Sequence, residues 1–168
     1  MTAVQTTTNR LTIVHETSLG PITLSASDRG LTRVRFGRRA DVSAAPDASQ
    51  ILAQAVAQLD EYLLGRRTRF EVPVDLSRIE PAHRRVLDAL CQVEYGTTRS
   101  YAELARAAGL TEDGPRRAGA ACARNPVLVF VPCHRIVASN GALTGYAGGV
   151  SIKKALLALE IGQFALDA

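Results

Sequence analysis

A cysteine and a histidine stand side by side in the segment 131–137, directly after an apolar run over residues 127–131. A thiol becomes a strong nucleophile when it ionises, and a nearby base or positive charge favours ionisation. His134 and Arg135 both follow Cys133 immediately, so this segment could carry out nucleophilic chemistry. The alternative is that Cys133 is a small buried hydrophobic side chain, which is the usual state of an isolated cysteine.

The bulk composition is that of a soluble chain with one domain or two small ones. The 168 residues are 46% apolar and 21% charged. No apolar run approaches the ~20 residues of a membrane span, and we expect neither a signal peptide nor membrane contact. The three cysteines, Cys91, Cys122 and Cys133, form no CxxC pair, which favours a reducing compartment over a disulfide scaffold. We therefore expect a cytoplasmic protein.

The charge balance is compatible with a nucleic-acid partner but does not require one. The net charge is +4, and Lys153 and Lys154 are the only lysines. Arginine suits contacts with phosphates and bases better than lysine does. A genome that favours arginine would explain the same composition equally well, so charge alone does not identify the partner.

The first third of the chain predicts a small antiparallel sheet. Residues 11–15, 21–25 and 31–36 alternate apolar and polar side chains. Gly20 and residues 28–30 are turn signals between these segments.

A helix and a domain boundary are predicted next. Asp47 is the expected N-cap, and Gly65 ends the helix. The apolar face of this helix consists of Leu52, Val56, Leu59 and Leu63. Residues 66–80 are expected to form a strand and a connector. We therefore predict an N-terminal sheet-and-helix domain over residues 1–80 and a C-terminal domain over residues 81–168.

The second half predicts mostly helices, two of which form a helix-turn-helix. Residues 81–93 are the first helix, and residues 100–103 have the capping-box pattern at the start of a helix over 101–108. After a tight turn, residues 115–124 form the next helix. Two arginines lie near its start, Arg116 and Arg117. Many helical hairpins never contact DNA, so these arginines favour DNA binding or simply form a solvated face.

Three segments around the cysteine complete the predicted site region. Residues 127–131 are expected to form an apolar strand that leads to it. The glycine-rich loop 145–149 lacks the spacing of a phosphate-binding loop, so it either lets backbone N–H groups approach a flat ligand or has no role. Ser151 is expected to cap a last helix that places Glu160 on its buried face. Such a carboxylate needs an imidazole or guanidinium partner, unless the last turn is frayed and Glu160 lies in water.

Together these motifs resemble the O6-alkylguanine-DNA alkyltransferases, or methylated-DNA–protein-cysteine methyltransferases. The resemblance is close over residues 81–162, and it covers the first 80 residues only in size and in the order of sheet and helix. It implies an α/β fold with a small N-terminal antiparallel sheet plus helix, followed by a mostly helical C-terminal domain with a helix-turn-helix. The motifs that match in order and spacing lie at residues 95–105, 125–126, 132–135, 141–149, 153 and 156–160.

The resemblance implies direct-reversal DNA repair without a cofactor. Cys133 would attack the alkyl carbon on O6 of a guanine and keep the alkyl group, so each molecule would react once. His134 would take the thiol proton through a water, and Glu160 would orient His134 and balance its charge. Asn125 would brace the same network by hydrogen bonds.

The resemblance also implies a monomer that binds double-stranded DNA containing O6-alkylguanine. The target nucleotide would be flipped out through the minor groove, and Arg116 would fill the gap that it leaves. The backbone of Cys133 and Ile136 would read the guanine, with Tyr101, Tyr146 and Cys122 around it and the Ala147 amide donating to O6. The residues expected to contact DNA are Arg116, Arg117, Tyr101, Ala102, Gly119, Arg124, Ser139 and His83.

The chain departs from the family pattern at several positions. Ala82, His83 and Leu87 stand where members usually carry Phe, Gln and Trp, which indicates less aromatic volume in the core. Arg117 replaces a small residue, so either of the two adjacent arginines could enter the base stack. Cys122 near the pocket leaves a second reactive thiol open. With only three histidines and no cysteine in the first 90 residues, we expect no metal site.

Two other classes of protein compete with the alkyltransferase. A non-catalytic damage-recognition protein of the same fold would bind the lesion without transfer, but relatives of that type replace the cysteine. A tyrosine-phosphatase-like loop needs an arginine at the position of Ser139, and a zinc deaminase needs a cysteine at the position of Ile136. The damage-recognition protein is therefore the main alternative.

Overall fold

The N-terminal part of the protein is a three-stranded antiparallel sheet. The structure, a computed structural model, describes residues 10–39, 41–43 and 49–162. The strands β1 (Leu11–Thr17), β2 (Gly20–Ala26) and β3 (Leu31–Phe36) lie in that order in space. The predicted sheet is confirmed in position and direction, because the turn signals lie where the strands end.

One helix packs on this sheet. The helix α1 (Gln50–Leu63) begins at the N-cap Ser49, whose hydroxyl accepts a backbone N–H of the first turn. The predicted cap, Asp47, lies outside the described residues. Gly65 follows the helix with φ of +69°, as expected for a glycine at a helix end. The buried face of α1 includes Tyr62, which is 0% exposed and reaches the C-terminal half of the chain.

The strand predicted within residues 66–80 is not formed. This segment makes one parallel bridge, between Val74 and Leu31, and the Leu31 N–H donates to the carbonyl of Pro73 at 2.9 Å. Pro73 has no N–H to continue a ladder, which limits the pairing to this bridge. Gly30 permits the close approach, because a Cβ at that position would lie 2.6 Å from the Pro73 oxygen.

Helices dominate the second half, as predicted. The helix α2 (Pro81–Leu90) ends three residues earlier than expected, where the chain leaves it through a turn. The helices α3 (Tyr101–Ala107) and α4 (Gly114–Ala123) pack on each other and form the predicted helix-turn-helix. Ser100 and Glu103 form the predicted capping box, each accepting the other's backbone N–H.

The strand predicted over residues 127–131 is not formed either. The segment contacts β3 by one bridge, between Val127 and Val34. Val129 has φ of +71°, and a branched residue in this left-handed region interrupts the extended conformation that a strand requires. The chain then enters a short 3₁₀ helix, Cys133–Arg135.

The remaining elements close the cysteine segment. Strand β5 (Ile136–Val137) pairs in parallel with β4 (Arg99–Ser100), and α5 (Val150–Glu160) follows. The N-cap of α5 is Gly149 with φ of +96°, and not the predicted Ser151. Glycine takes this backbone angle at low cost, so the helix begins earlier and Ser151 lies exposed in its first turn.

Both halves of the chain contribute to one hydrophobic core. Strand β3 is joined to the segment before the cysteine by two backbone hydrogen bonds. The Val34 N–H donates to Pro126 at 2.9 Å, and the Leu128 N–H donates to Val34 at 3.2 Å. The α/β fold class is confirmed, while the domain boundary near residue 80 stays a prediction. Within the described residues, no helix is long and apolar enough to cross a membrane.

Candidate active site

Cys133 is 4% exposed and lines a pocket of about 370 Å³. The side chain of Asn125 donates one hydrogen bond to the sulfur at 3.1 Å and another to the carbonyl of Val131 at 2.8 Å. The amide oxygen of Asn125 accepts the Val127 N–H at 3.0 Å. Because all these groups are buried and paired, the amide has one fixed orientation, with an N–H directed at the sulfur.

The environment keeps the resting thiol protonated. Burial raises the pKa of Cys133, and the hydrogen bond from Asn125 and the positive charges of Lys153 and Arg35 only partly oppose that effect. Burial makes the ionised thiolate unfavourable in free energy, so the thiol stays protonated until the reaction begins. The cysteine therefore needs a base at the moment of attack.

His134 has the properties of such a base. It is 0% exposed, and its Nε2 lies 2.8 Å from Oε1 of Glu160. A carboxylate only accepts, so Nε2 carries the hydrogen and Nδ1 carries the free lone pair. Within the described part of the chain, this buried Nδ1 has no hydrogen-bond partner. Burial lowers the pKa of His134 more than Glu160 raises it, so the imidazole is neutral.

Glu160 receives hydrogen bonds from four residues at once. His134 and the hydroxyl of Tyr62 lie 2.8 and 2.7 Å from Oε1, and the guanidinium of Arg135 donates to both oxygens at 2.9 to 3.1 Å. The Gly96 N–H donates at 3.2 Å. Burial alone would raise the pKa of Glu160, but the bonds from His134 and Arg135 outweigh it and lower the pKa to about 2. Both partner types predicted for this carboxylate are present.

Lys153 is a second buried cation close to the cysteine. It is 1% exposed, and its Nζ donates to the carbonyl of Ile136 at 2.5 Å and of Thr144 at 3.4 Å. These bonds connect the strand after the cysteine to Thr144, the residue before the glycine-rich loop. The sequence pattern included Lys153 without indicating that its ammonium is buried.

The predicted substrate residues do not all line the pocket. Tyr101, Cys122, Tyr146 and Ala147 line it together with Cys133. Ile136, which was expected to act through its backbone, does not line it with its side chain, which is 0% exposed and lies in the core. Across the pocket, the hydroxyl groups of Tyr101 and Thr144 lie 2.7 Å apart.

Cys122 is not prepared to react at rest. Burial raises its pKa to about 12, with a further contribution from Cys133. A thiol of that pKa is almost completely protonated at neutral pH, and thiolate is the nucleophilic form. Burial raises the pKa of Cys133 as well, so Cys133 differs from Cys122 in its hydrogen bond from Asn125 and in its position next to His134.

The two adjacent arginines of α4 that are predicted to contact DNA lie in different environments. Arg116 projects into solvent with a side chain that is 84% exposed, and its guanidinium forms an ion pair with Asp113 at 3.3 Å. By contrast, Arg117 shares a small surface pocket with His83 and Arg124. His83 bonds through Nε2 to the carbonyl of Ala121 in α4, at 3.0 Å.

The other predicted DNA contacts are more scattered. Gly119 lies in the wall of the Cys133 pocket, and a Cβ there would be 3.7 Å from the ring of Tyr101. Ala102 is half-buried at the start of α3. Ser139 is exposed in the turn after β5, so it is not part of the helix-turn-helix.

Comparisons with known proteins agree with this architecture. Residues 11–76 match the family model of the 6-O-methylguanine DNA methyltransferase ribonuclease-like domain, and residues 81–162 match that of its DNA binding domain. The methylated-DNA–protein-cysteine methyltransferase of Methanosarcina acetivorans is 36% identical over 151 residues, which cover 88% of this chain and 96% of that protein. Its counterpart from Mycobacterium tuberculosis is 38% identical over 156 residues, covering 90% and 93%.

A solved structure gives the same result. The crystal structure of Mycobacterium tuberculosis OGT in complex with DNA matches with a TM-score of 0.80 at 38% identity, over 92% of this chain and 93% of that one. The chain has the fold of the methylated-DNA–protein-cysteine methyltransferases. It belongs to the 6-O-methylguanine DNA methyltransferase family, as the motifs predicted.

Proposed function

We propose that this protein repairs alkylated DNA by direct reversal, transferring the alkyl group from O6 of guanine to Cys133. The activity is that of a methylated-DNA–protein-cysteine methyltransferase, which its relatives share. The observation that carries the proposal is the buried sulfur of Cys133, which lines a pocket of about 370 Å³ beside a neutral histidine. The main alternative, damage recognition without transfer, would leave this arrangement of groups without a purpose.

The bonds that change are few. The sulfur forms a bond to the alkyl carbon as the bond from that carbon to O6 breaks, and the electron pair of that bond remains on the guanine. The thiol proton passes to Nδ1 of His134, through a water that bridges the two groups. Glu160 accepts from Nε2 and stabilises the imidazolium that forms, while Asn125 keeps an N–H on the sulfur.

The guanine would enter the pocket beside Tyr101 and Tyr146 as a flipped-out base. A nucleotide must leave the duplex because its O6 is otherwise stacked and out of reach of a buried thiol. The backbone amide of Ala147 would donate to O6 and stabilise the charge that develops there. We propose that Ile136 contributes through its backbone, since its side chain lies in the core.

Each molecule would act once. The product is a thioether. To restore the thiol its carbon–sulfur bond would have to break, and none of the groups described here promotes that step. With O6-methylguanine duplex in excess, we expect the number of guanines restored to increase in proportion to the amount of protein added. It should not exceed one guanine per protein molecule. Repeated turnover would contradict single use, and binding without restoration would favour the damage-recognition protein. We further propose that the protein acts as a monomer in the cytoplasm.

The pH dependence of transfer should follow His134. Because its pKa lies below the ordinary value of 6.5, the base is available at neutral pH, and the rate constant should fall only below pH 6.5. Because burial raises the pKa of Cys133 above 9.0, spontaneous ionisation should increase the rate only in more alkaline solution. Single-turnover rates across this pH range test the assignment. An inflection between pH 7 and 8 would contradict it.

We propose that Arg116, rather than Arg117, fills the gap left by the flipped base. Both arginines are exposed, but Arg117 lines the surface pocket shared with His83, whereas the side chain of Arg116 is 84% exposed and pairs with Asp113. We expect Arg116→Ala to lower the second-order rate of transfer by roughly 10-fold to 100-fold, because the duplex loses its replacement for the missing base. Arg117→Ala is the matched control and should lower it less. A larger effect in Arg117→Ala would reverse the assignment.

A further inference from the structure

Strand β3 of the N-terminal sheet reaches the site through Arg35. The guanidinium Nη1 of Arg35 donates to the backbone carbonyl of Asn125 at 2.5 Å, across 90 residues of sequence. The side chain of Arg35 is about half-buried, and nothing in the motif pattern around the cysteine indicates its presence. The same Asn125 directs its amide at the reacting sulfur.

The backbone on the C-terminal side of Asn125 is held by the same strand. The neighbouring β3 residue, Val34, donates to Pro126 at 2.9 Å and accepts from Leu128 at 3.2 Å. Two consecutive residues of β3 thus hold the carbonyl of Asn125 and the chain directly after it. Asn125 is 0% exposed, and its side-chain amide bonds to Val131, Val127 and the sulfur of Cys133 at once. A shift of its backbone would therefore move the N–H away from the sulfur.

Arg35 also brings a positive charge toward the thiol. The charged and titratable groups that act electrostatically with Cys133 are Arg35 from β3, Lys153 from α5, Cys122 from α4, and Tyr101 and Tyr146 around the pocket. Among these, Lys153 and Arg35 are cations that favour the thiolate, and both act against burial. Lys153 donates to the carbonyl of Ile136, in the strand after Cys133. Arg35 donates to the carbonyl of Asn125, whose side chain donates to the sulfur of Cys133.

We propose that Arg35 is a positioning residue for alkyl transfer, acting through Asn125 to hold an N–H donor at the sulfur of Cys133. The inference rests on the proposed function, because it concerns the same sulfur. It gives the N-terminal sheet a part in the chemistry beyond stabilising the fold. An attacking sulfur loses its proton, and a fixed donor with a nearby cation stabilises the thiolate at that moment.

The test uses Arg35→Met, which keeps the apolar stem and removes the donor and the charge. We expect single-turnover transfer at saturating DNA to slow by roughly 10-fold to 100-fold, with DNA affinity unchanged, since one charge-assisted hydrogen bond is lost. The alkaline rise of the rate should move to higher pH, because the thiolate loses a neighbouring cation. Arg35→Lys, which restores the charge, should return the alkaline rise toward that of the wild type.

The matched control is Arg33→Met, which removes the same charge from the same face of β3, two residues away. It should transfer at nearly the wild-type rate. Two results would overturn the proposal: Arg35→Met with wild-type rate and pH profile, or an equal loss in both variants with no change in profile. A purely structural role would lower the Tm without moving the pH profile.

A second readout separates this inference from the proposed function. Iodoacetamide alkylates a thiolate without DNA, so the pH at which Cys133 reacts reports its ionisation directly. We expect Arg35→Met to shift this reaction to higher pH even if the wild-type protein failed to repair DNA. An unshifted reaction would overturn the inference while leaving the proposed function intact.

Discussion

Cys133→Ser should abolish methyl transfer and leave binding to O6-methylguanine duplex unchanged. A serine hydroxyl ionises far less readily than a thiol, so a neutral His134 cannot generate the attacking anion. We expect the rate constant to fall by roughly 10⁴-fold or more, as when other catalytic nucleophiles are replaced. The substitution changes one buried atom, so binding to the duplex should keep its affinity. Single-turnover transfer and equilibrium binding, measured on the same preparation, test both parts.

Cys122→Ser is the matched control for this variant. Both cysteines line the same pocket and burial raises the pKa of both thiols, but Cys133 accepts the Asn125 N–H and is adjacent to His134. We expect Cys122→Ser to transfer within a few-fold of the wild type. Residual transfer in Cys133→Ser that disappears when Cys122 is also replaced would show that Cys122 is a true acceptor.

Glu160→Gln should have the second-largest effect, on both rate and stability. The carboxylate is 6% exposed and accepts from His134, Arg135 and Tyr62. A neutral amide leaves the guanidinium of Arg135 buried without its counter-charge and no longer stabilises the imidazolium of His134. We expect transfer to slow by roughly 10²-fold to 10³-fold.

The stability effect has a defined pH range. The folded-state pKa of Glu160 is lowered from 4.5 to about 2, so its stabilisation is fully present above pH 4.5 and is lost as the pH falls toward 2. A shift of that size corresponds to about 3 kcal/mol in the free energy of unfolding. Urea denaturation should therefore separate Glu160→Gln from the wild type at pH 7, and the two curves should approach each other near pH 2.

Glu94→Gln is the control for loss of one acidic charge, because Glu94 is exposed. It should unfold like the wild type at both pH values. If Glu160→Gln retained wild-type stability at pH 7, the carboxylate would not be the centre of a buried ion pair. If it retained the wild-type rate as well, His134 would not depend on it.

Local signals explain which elements were predictable. The alternation of strands 11–36 and the capping box at Ser100 depend on neighbouring residues, and both were found where expected. The two predicted strands that did not form, within residues 66–80 and 127–131, contain valines and other strand-favouring residues but each make a single bridge to β3. Such residues favour extended backbone, but pairing is decided by distant segments, and Val129 shows that one left-handed residue ends it.

The site was predictable only where its residues are close in sequence or belong to a recognised motif. Cys133, His134, Asn125 and Glu160 stand in the matching C-terminal motifs, and the structure brings them together. Tyr62 lies 98 residues before Glu160 on another helix, and its sequence context is that of an ordinary core residue. Arg35 likewise sits on a strand whose alternation predicts only an outward side chain. Tertiary contacts of this kind carry no local signal.

The most direct measurement is the mass of the intact protein after incubation with duplex DNA that carries one O6-methylguanine, followed by mapping of the modified peptide. We expect a gain of one methylene unit on Cys133, reaching one per molecule and no more. DNA binding without any gain in mass would contradict alkyl transfer and indicate a damage-recognition protein. A gain on Cys122 instead would mean that the buried relay around Cys133 does not select the nucleophile.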